Sequence, residues 1–544
     1  MALGGCRPAL TTHANLRDPS HAGLPLHIKP VGRLDWNAAR EIILPTLAPA
    51  FSDAWDKLFA TEWLQRALND PRVQAAMESS AWRREAELLP HDLDLLLHHR
   101  HVRPINKLEV VGLVRVFTTV EVAKKRRRMI AEPIINVFYP DGGEIELTSL
   151  ADILDPVNRH THAMTLDFPW FYGQMSIPDE AQPYYCFTYA DQWYALTTVP
   201  TGARHVPAVA EALTKSLGHH AVHDLHDPPT LSTDEVCHHT YIDNTRFTAL
   251  DPALLRIIHR RWVLLCSRTA ITLDGEGLEG AIVTAYDFLG VHCVHQPPNS
   301  YVRLTEKMTS KLAGWTVNLP PASQLTLRTL LQCMGACVWA SRVLAYPLAA
   351  VYHLFKFSRR RVAAGYHLDS AADPWSCVIS LLVAWLRRLI QNNPRRLVCE
   401  GDQPWTLFTD ACLSGYGIIA LPPPDLSASC SIFAGPWTAE EHINILEARA
   451  TVIGVLCLPT QARLTPLLIV IDNTTVLGAG RKTHSRSFTL NAIVRRIYAA
   501  AASSMYHIVT WDYIASEDNP ADQPSRLFEA ARLRGKRLRL FELL

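Results

Sequence analysis

The chain has 544 residues, 48% of them hydrophobic and 19% charged, with a net charge of +1. That is too long for one hydrophobic core, and the composition excludes a disordered chain. Near-neutrality also excludes a global basic field, although basic residues cluster at Lys124–Arg128, Arg359–Arg361 and Arg532–Arg539, where a local groove could be positive. No uncharged run approaches the ~20 residues needed to span a bilayer and no N-terminal apolar h-region occurs. The expectation is a soluble intracellular protein without a membrane partner, in cytoplasm or nucleus. The 12 cysteines form no CxxC pair, and Cys333 and Cys337 are spaced as on one helix face, which fits reduced thiols better than disulfides. His98, His99 and His101, and His238 and His239, lie close together without cysteines or acids at zinc-ligand spacing, so no metal role is assigned to them.

In chain order, residues 1–95 read as a loop-rich start followed by helices, with Leu58, Trp63, Leu64 and Leu68 at helical spacing. From 96 to about 310 strands and helices mix. Val110–Val116 and Pro133–Phe138 are expected strands, and Asp141–Gly143 is a turn signal. Asp251 before Pro252 predicts a helix to about Arg268, with Asp as N-cap and Pro in the first turn. Residues 311–398 are mainly helical in pattern. From 399 to 528 strands and helices alternate again, and 529–544 is a basic tail. No internal repeat is evident.

The sharpest chemistry lies in the last third. Trp405–Asp410 (WTLFTD) and Leu467–Asp472 (LLIVID) are buried-strand patterns that each end on an acid. Between them, Thr438 with Glu441 three residues later predicts a capping box. On the helix that follows, Glu447 sits within an apolar stripe of Ile443, Leu446, Ala450 and Ile453. A carboxylate on such a face is costly unless paired. Asn519–Arg526 (NPADQPSR) places Asp522 in a loop or helix start. Acids gathered by a fold resist ionisation unless divalent cations lie between them. Two Mg²⁺ ions about 4 Å apart suit that task.

The segments TDACLSGYG, INILEARA, VIDNTTVL and NPADQPSR, in this order, resemble the ribonuclease H domains of retroelements. The resemblance implies metal binding by Asp410, Glu447, Asp472 and Asp522. Upstream, LDFPWFYGQMSI (166–177), VPTGARHVP (199–207), YIDN (241–244) and Leu289–Gly290 resemble successive reverse transcriptase motifs. The connection around LLQCMGACVWASRVL and the NPADQPSR ending look most like the DIRS and VIPER group. By this resemblance Asp167 and Asp243 hold metal, and Tyr172 crowds the sugar 2′ position. Gln174, Pro200 and Gly202 line the nucleotide site, where glycine admits close backbone approach. Arg126, Arg127 and Arg128, without a choice among them, grip the triphosphate.

The implied fold is α+β and multidomain. A right-hand polymerase with fingers and palm (96–310) and a helical thumb or connection (311–398) precedes a ribonuclease H-like mixed sheet (399–528), and the role of 1–95 is open. The implied reaction is metal-assisted phosphoryl transfer. Its cofactor is Mg²⁺ with Mn²⁺ as substitute, and its partners are RNA template, DNA primer, RNA–DNA hybrid and deoxynucleoside triphosphates. No tyrosine recombinase constellation, protease signature or zinc knuckle is evident, so other element-encoded proteins remain possible partners. Two departures stand out. Asn244 occupies the place of a usual second aspartate, and Phe171 replaces a usual small residue. They keep two rivals open: a nuclease whose polymerase half only holds the hybrid, and a catalytically silent nucleic-acid-binding relic.

Overall fold

The computed structural model describes residues 23–121, 124–139, 145–223, 235–297, 299–397, 403–438, 440–462, 465–503 and 506–529. The turn expected at 141–143 and the basic cluster at 532–539 lie outside these. The chain divides into two compact units, one of residues 1–156 and 160–288, the other of 157–159 and 289–544. Both mix helices and sheets.

The N-terminal helices are built into the first unit. Leu58 in α1 (Ala48–Phe59) and Leu64 and Leu68 in α2 (Thr61–Leu68) are buried, as their spacing predicts. Tyr185 donates its hydroxyl to Leu58 O at 2.5 Å, and the indole N–H of Trp36 donates to Ser176 O at 2.9 Å. Helix α3 (Pro90–His98) carries Asp92, which is fully buried. Strands β1 (Val114–Glu121) and β2 (Arg126–Pro133) pair antiparallel as a hairpin.

Two expected strands are corrected here. β1 starts at Val114 and not Val110, because the N–H groups of Val111 and Gly112 donate to Pro183 O. Pro133–Phe138 is no strand: a 3₁₀ turn spans Ile134–Val137. Asn136 draws the chain into that turn by donating to Gly202 O at 2.9 Å and accepting from Arg204 N at 3.2 Å.

The centre of the unit is a three-stranded antiparallel sheet. It consists of β3 (His162–Asp167), β4 (Val236–Tyr241) and β5 (Asn244–Ala249), with β5 in the middle. Helix α4 (Val206–Val222) packs on β4 and is buried around most of its circumference, as suits a helix with no polar face. Helix α5 (Pro252–Arg268) begins where predicted, with the Asp251 carboxylate accepting from Ala253 N at 2.8 Å.

In the second unit, α6 (Leu327–Val343), α7 (Tyr352–Ala363) and α8 (Ser376–Ile390) bear out the helical pattern of that region. Cys333 and Cys337 lie buried together on α6 as free thiols. A five-stranded mixed sheet follows, built of β6 (Trp405–Ala411), β7 (Gly415–Leu421), β8 (Ser431–Pro436), β9 (Pro466–Ile471) and β10 (His507–Tyr513). Its spatial order is β8-β7-β6-β9-β10, antiparallel among the first three and parallel from β6 to β10. Helix α9 (Ile443–Cys457) packs on β6 and on α11 (Phe488–Ser503); α10 (Thr474–Arg481) lies between β9 and α11 in sequence. The capping box expected at Thr438 does not form. His442 caps α9 instead, and Glu441 is drawn into an ion pair with Arg449 at 2.7 Å. No helix among the described residues is long and apolar enough to cross a membrane.

Candidate active sites

The edge-to-centre order of the second unit's sheet puts two strand ends side by side. β6 and β9 are adjacent and parallel, so Asp410 near the end of β6 and Asp472 just after β9 emerge together. Glu447 comes to them from α9. The phase of that helix is set one turn later, where Thr451 Oγ1 meets Thr409 Oγ1 at 3.1 Å, and Gly454 lets Leu407 and Thr409 approach the helix closely. A hydrogen bond from Asn473 Nδ2 to Asn444 Oδ1 at 2.9 Å ties the turn after Asp472 to the first turn of α9.

Among the described residues, Asp410, Glu447 and Asp472 form the one group of three or more potential metal ligands whose ligand atoms all lie within 4.8 Å of each other. Asp410 and Glu447 are buried. Burial is the largest cause of a Glu447 pKa pushed up to about 9, with the charges of Asp410 and Asp472 next. Asp410 is raised as well, mainly by burial, with opposition from a hydrogen bond to Ser525. Glu447 Oε2 and Asp472 Oδ1 are buried without a protein partner, whereas Asp472 Oδ2 accepts from Ser516 Oγ at 2.5 Å.

Asp522 stands just outside this group. It opens the single turn Asp522–Ser525, and its carboxylate is held by Arg526 at 2.8 Å. The turn itself is docked against the sheet. Buried Asn519 donates to Thr409 O at 3.2 Å, and a Cβ on Gly417 would come within 2.2 Å of Ala521 O. The sheet therefore brings together three of the four expected acids and leaves the fourth beside them in an ion pair. The pairings of Ser516, Asn444 and Asn473 are not legible in the sequence, since their partners are remote in the chain.

In the first unit, Asp167 ends β3 directly opposite Asn244, the first residue of β5. Asp243 sits in the two-residue turn between β4 and β5. Asp167 keeps its side chain exposed at the end of the strand. The protein around it is the largest cause of a pKa raised to about 6, and the Asp243 charge is the next. Asp243 is raised by burial, and Asn244 Nδ2 donates to its Oδ1 at 3.0 Å. Thus Asn244 orients the neighbouring carboxylate instead of adding a charge.

The three arginines separate clearly. Arg126 is paired with Glu121 and lies 3.0 Å from the His27 ring nitrogen Nδ1. Arg127 is fully buried, with both terminal nitrogens on Asp92 at 2.7 Å and its Nε donating to Leu24 O at 2.8 Å. That corrects the expectation for Arg127: an enclosed, fully paired guanidinium is not available to a phosphate. Arg128 is exposed, and its charge acts on both Asp243 and Tyr172, while Lys124 acts on Asp167.

Tyr172 is half-buried, and its hydroxyl pKa is raised by burial first and Asp243 second. Phe171 is accommodated by stacking on Phe168, with ring centroids 4.5 Å apart. Gln174 is corrected in role. Gln174 is buried, its amide donating to Pro169 O at 2.9 Å and its oxygen accepting from Thr272 N at 2.7 Å. Pro200 is buried in the same loop as Gly202, whose close approach is to β2: a Cβ there would sit 2.7 Å from Ala131 O.

No protein-family profile matches this sequence, and no curated protein matches it either. Solved structures do resemble the fold. A foamy viral protease–reverse transcriptase "dRH" in complex with double-stranded DNA aligns with a TM-score of 0.46 and 13% identity, covering 90% of this chain and 83% of that one. A foamy viral protease–reverse transcriptase with an RNA/DNA hybrid aligns with a TM-score of 0.44 and 12% identity, over 90% and 64% of the two chains. The same kind of protein with double-stranded DNA gives 0.45 and 12%, over 90% and 99%.

Proposed function

We propose that this chain is an RNA-directed DNA polymerase joined to a ribonuclease H, of the kind carried by DIRS- and VIPER-type retroelements, acting on an RNA template, a DNA primer and their hybrid. The observation that carries the reading is the meeting of Asp410, Glu447 and Asp472 at adjacent parallel strand ends and one helix face. Two buried carboxylate oxygens without protein partners, and burial and like-charge repulsion that raise the Glu447 pKa to about 9, make this donor set fit Mg²⁺, with Mn²⁺ as substitute, since a cation relieves both. Asp410, Glu447 and Asp472 would hold it, and Asp522, whose charge acts on Asp410, would join them on leaving Arg526. Bound divalent cations supply activation of water and stabilisation of a departing oxygen. The protein's part is preorganisation. Strand ends fix Asp410 and Asp472, Ser516 orients one Asp472 oxygen, and Asn519 holds the Asp522 turn against β6.

In the first unit, Asp167 and Asp243 would hold the same cation for addition of a deoxynucleotide to a primer 3′-OH, with Lys124 and Arg128 facing the triphosphate and Tyr172 beside the sugar. Asn244 favours a second reading, a nuclease whose first unit only holds the hybrid, since it leaves this pair one carboxylate short.

Two assays on the same protein test both. Asp410→Asn should abolish RNA cleavage in a hybrid while hybrid binding persists, and primer extension on RNA with Mg²⁺ and with Mn²⁺ should be positive. Cleavage at the wild-type rate in Asp410→Asn removes that residue from the site. Cleavage without extension in either metal selects the nuclease reading. Binding without cleavage or extension selects the silent relic.

A further inference from the structure

Between Tyr241 and Asn244 the chain reverses in two residues, and Ile242 takes a φ of +61°. A β-branched side chain rarely adopts that left-handed backbone, so the turn must be held from outside. The holder is on α4. Glu211, 3% exposed, accepts the Ile242 backbone N–H on one oxygen and the Thr240 hydroxyl at 3.3 Å on the other. Lys215, one helical turn on, places its ammonium 3.3 Å from that second oxygen. A buried carboxylate is costly without such partners, and an N–H bond to an ionised acceptor is stronger than a neutral one. The helix beneath is enclosed on most sides, so the acceptor is fixed in space.

We propose that Glu211 is a positioning residue: by holding the strained Ile242 turn it aims Asp243 at Asp167. This rests on the polymerase reading above. Neither the spacing of Glu211 from YIDN nor its helical context marks it in the sequence. The role predicts that losing the carboxylate matters chiefly because Ile242 is strained, so glycine at 242, which takes left-handed backbone freely, should substitute for the missing anchor.

The test uses the full chain carrying Asp410→Asn and Asp472→Asn, so that Mn²⁺ binding followed by electron paramagnetic resonance reports the first unit. Asp243→Asn in this background should abolish the signal and so assign it. Glu211→Ala should weaken Mn²⁺ binding and slow primer extension roughly tenfold, the scale of one charge-assisted hydrogen bond, with primer–template affinity unchanged. Glu211→Gln should recover part of the loss, and Ile242→Gly added to Glu211→Ala should recover most of it. Should Glu211→Ala not fold, Glu211→Gln with and without Ile242→Gly takes its place. Wild-type Mn²⁺ affinity and extension in Glu211→Ala overturn the proposal, as does a loss that Ile242→Gly leaves untouched. A parent chain that neither binds Mn²⁺ at Asp243 nor extends a primer overturns the polymerase reading, and the positioning role with it.

Discussion

Glu447→Gln should stabilise the metal-free protein while destroying its nuclease activity. Burial and the neighbouring Asp410 and Asp472 raise the Glu447 pKa from 4.5 to about 9. The folded state therefore retains a proton that the unfolded chain releases above pH 4.5. At pH 7.5 that difference is about 3 pH units, or ~4 kcal/mol. Relaxation of the cluster and residual solvent screening bring the expected gain to about 2 kcal/mol and about 5 °C in melting temperature. The sign follows from the direction of the shift. An acid with a raised folded pKa imposes no penalty below its unfolded value, an increasing one as pH rises, and a constant one above about pH 9.

Thermal unfolding in EDTA should thus show the Glu447→Gln advantage at pH 7.5 and none near pH 4. Adding Mg²⁺ should raise the wild-type melting temperature more than the variant's, and hybrid cleavage by the variant should be lost. A variant that melts at or below wild type in EDTA at pH 7.5 refutes the idea that burial and the neighbouring acids force Glu447 to keep its proton at a cost to stability. So does an advantage that persists unchanged to pH 4.

Three further outcomes are expected. Asn244→Asp replaces the donor to Asp243 with a carboxylate opposite Asp167, so extension should be faster and half-saturate at lower Mg²⁺, with hybrid cleavage unchanged; superimposable Mg²⁺ titrations would count against the metal role of this turn. Tyr172→Ala should raise ribonucleotide incorporation about tenfold or more, the scale of a lost steric contact, and an unchanged sugar preference in a variant that still polymerises would make Tyr172 core. Arg127→Ala strands buried Asp92 and should lower stability by about 3–5 kcal/mol, with the KM for nucleotide unchanged below its melting point; a raised KM without lost stability would return Arg127 to the nucleotide site.

What the sequence determined by itself is the local part. Buried-strand runs ending on an acid place β6 and β9, and Asp251 before Pro252 marks where α5 starts, because these depend on residues within a turn or two of each other. An acid at the end of each of two buried strands and another on an apolar helix face were legible as anomalies, since such placements are costly unless something compensates. The distribution of partners was not legible. Arg126, Arg127 and Arg128 read as one basic run, yet β pairing alternates their faces, sending Arg127 inward to Asp92 and leaving Arg128 exposed, where its charge acts on Asp243. That Gly202 also packs against β2, where a Cβ would sit 2.7 Å from Ala131 O, was not legible either. Thr438 with Glu441 read as a cap, but Arg449 captures the glutamate. Glu211 was silent until Ile242 lay against it. Each of these was decided by tertiary structure for one reason: burial removes water as the alternative partner, so a side chain's role follows from which remote group the fold places within hydrogen-bond reach.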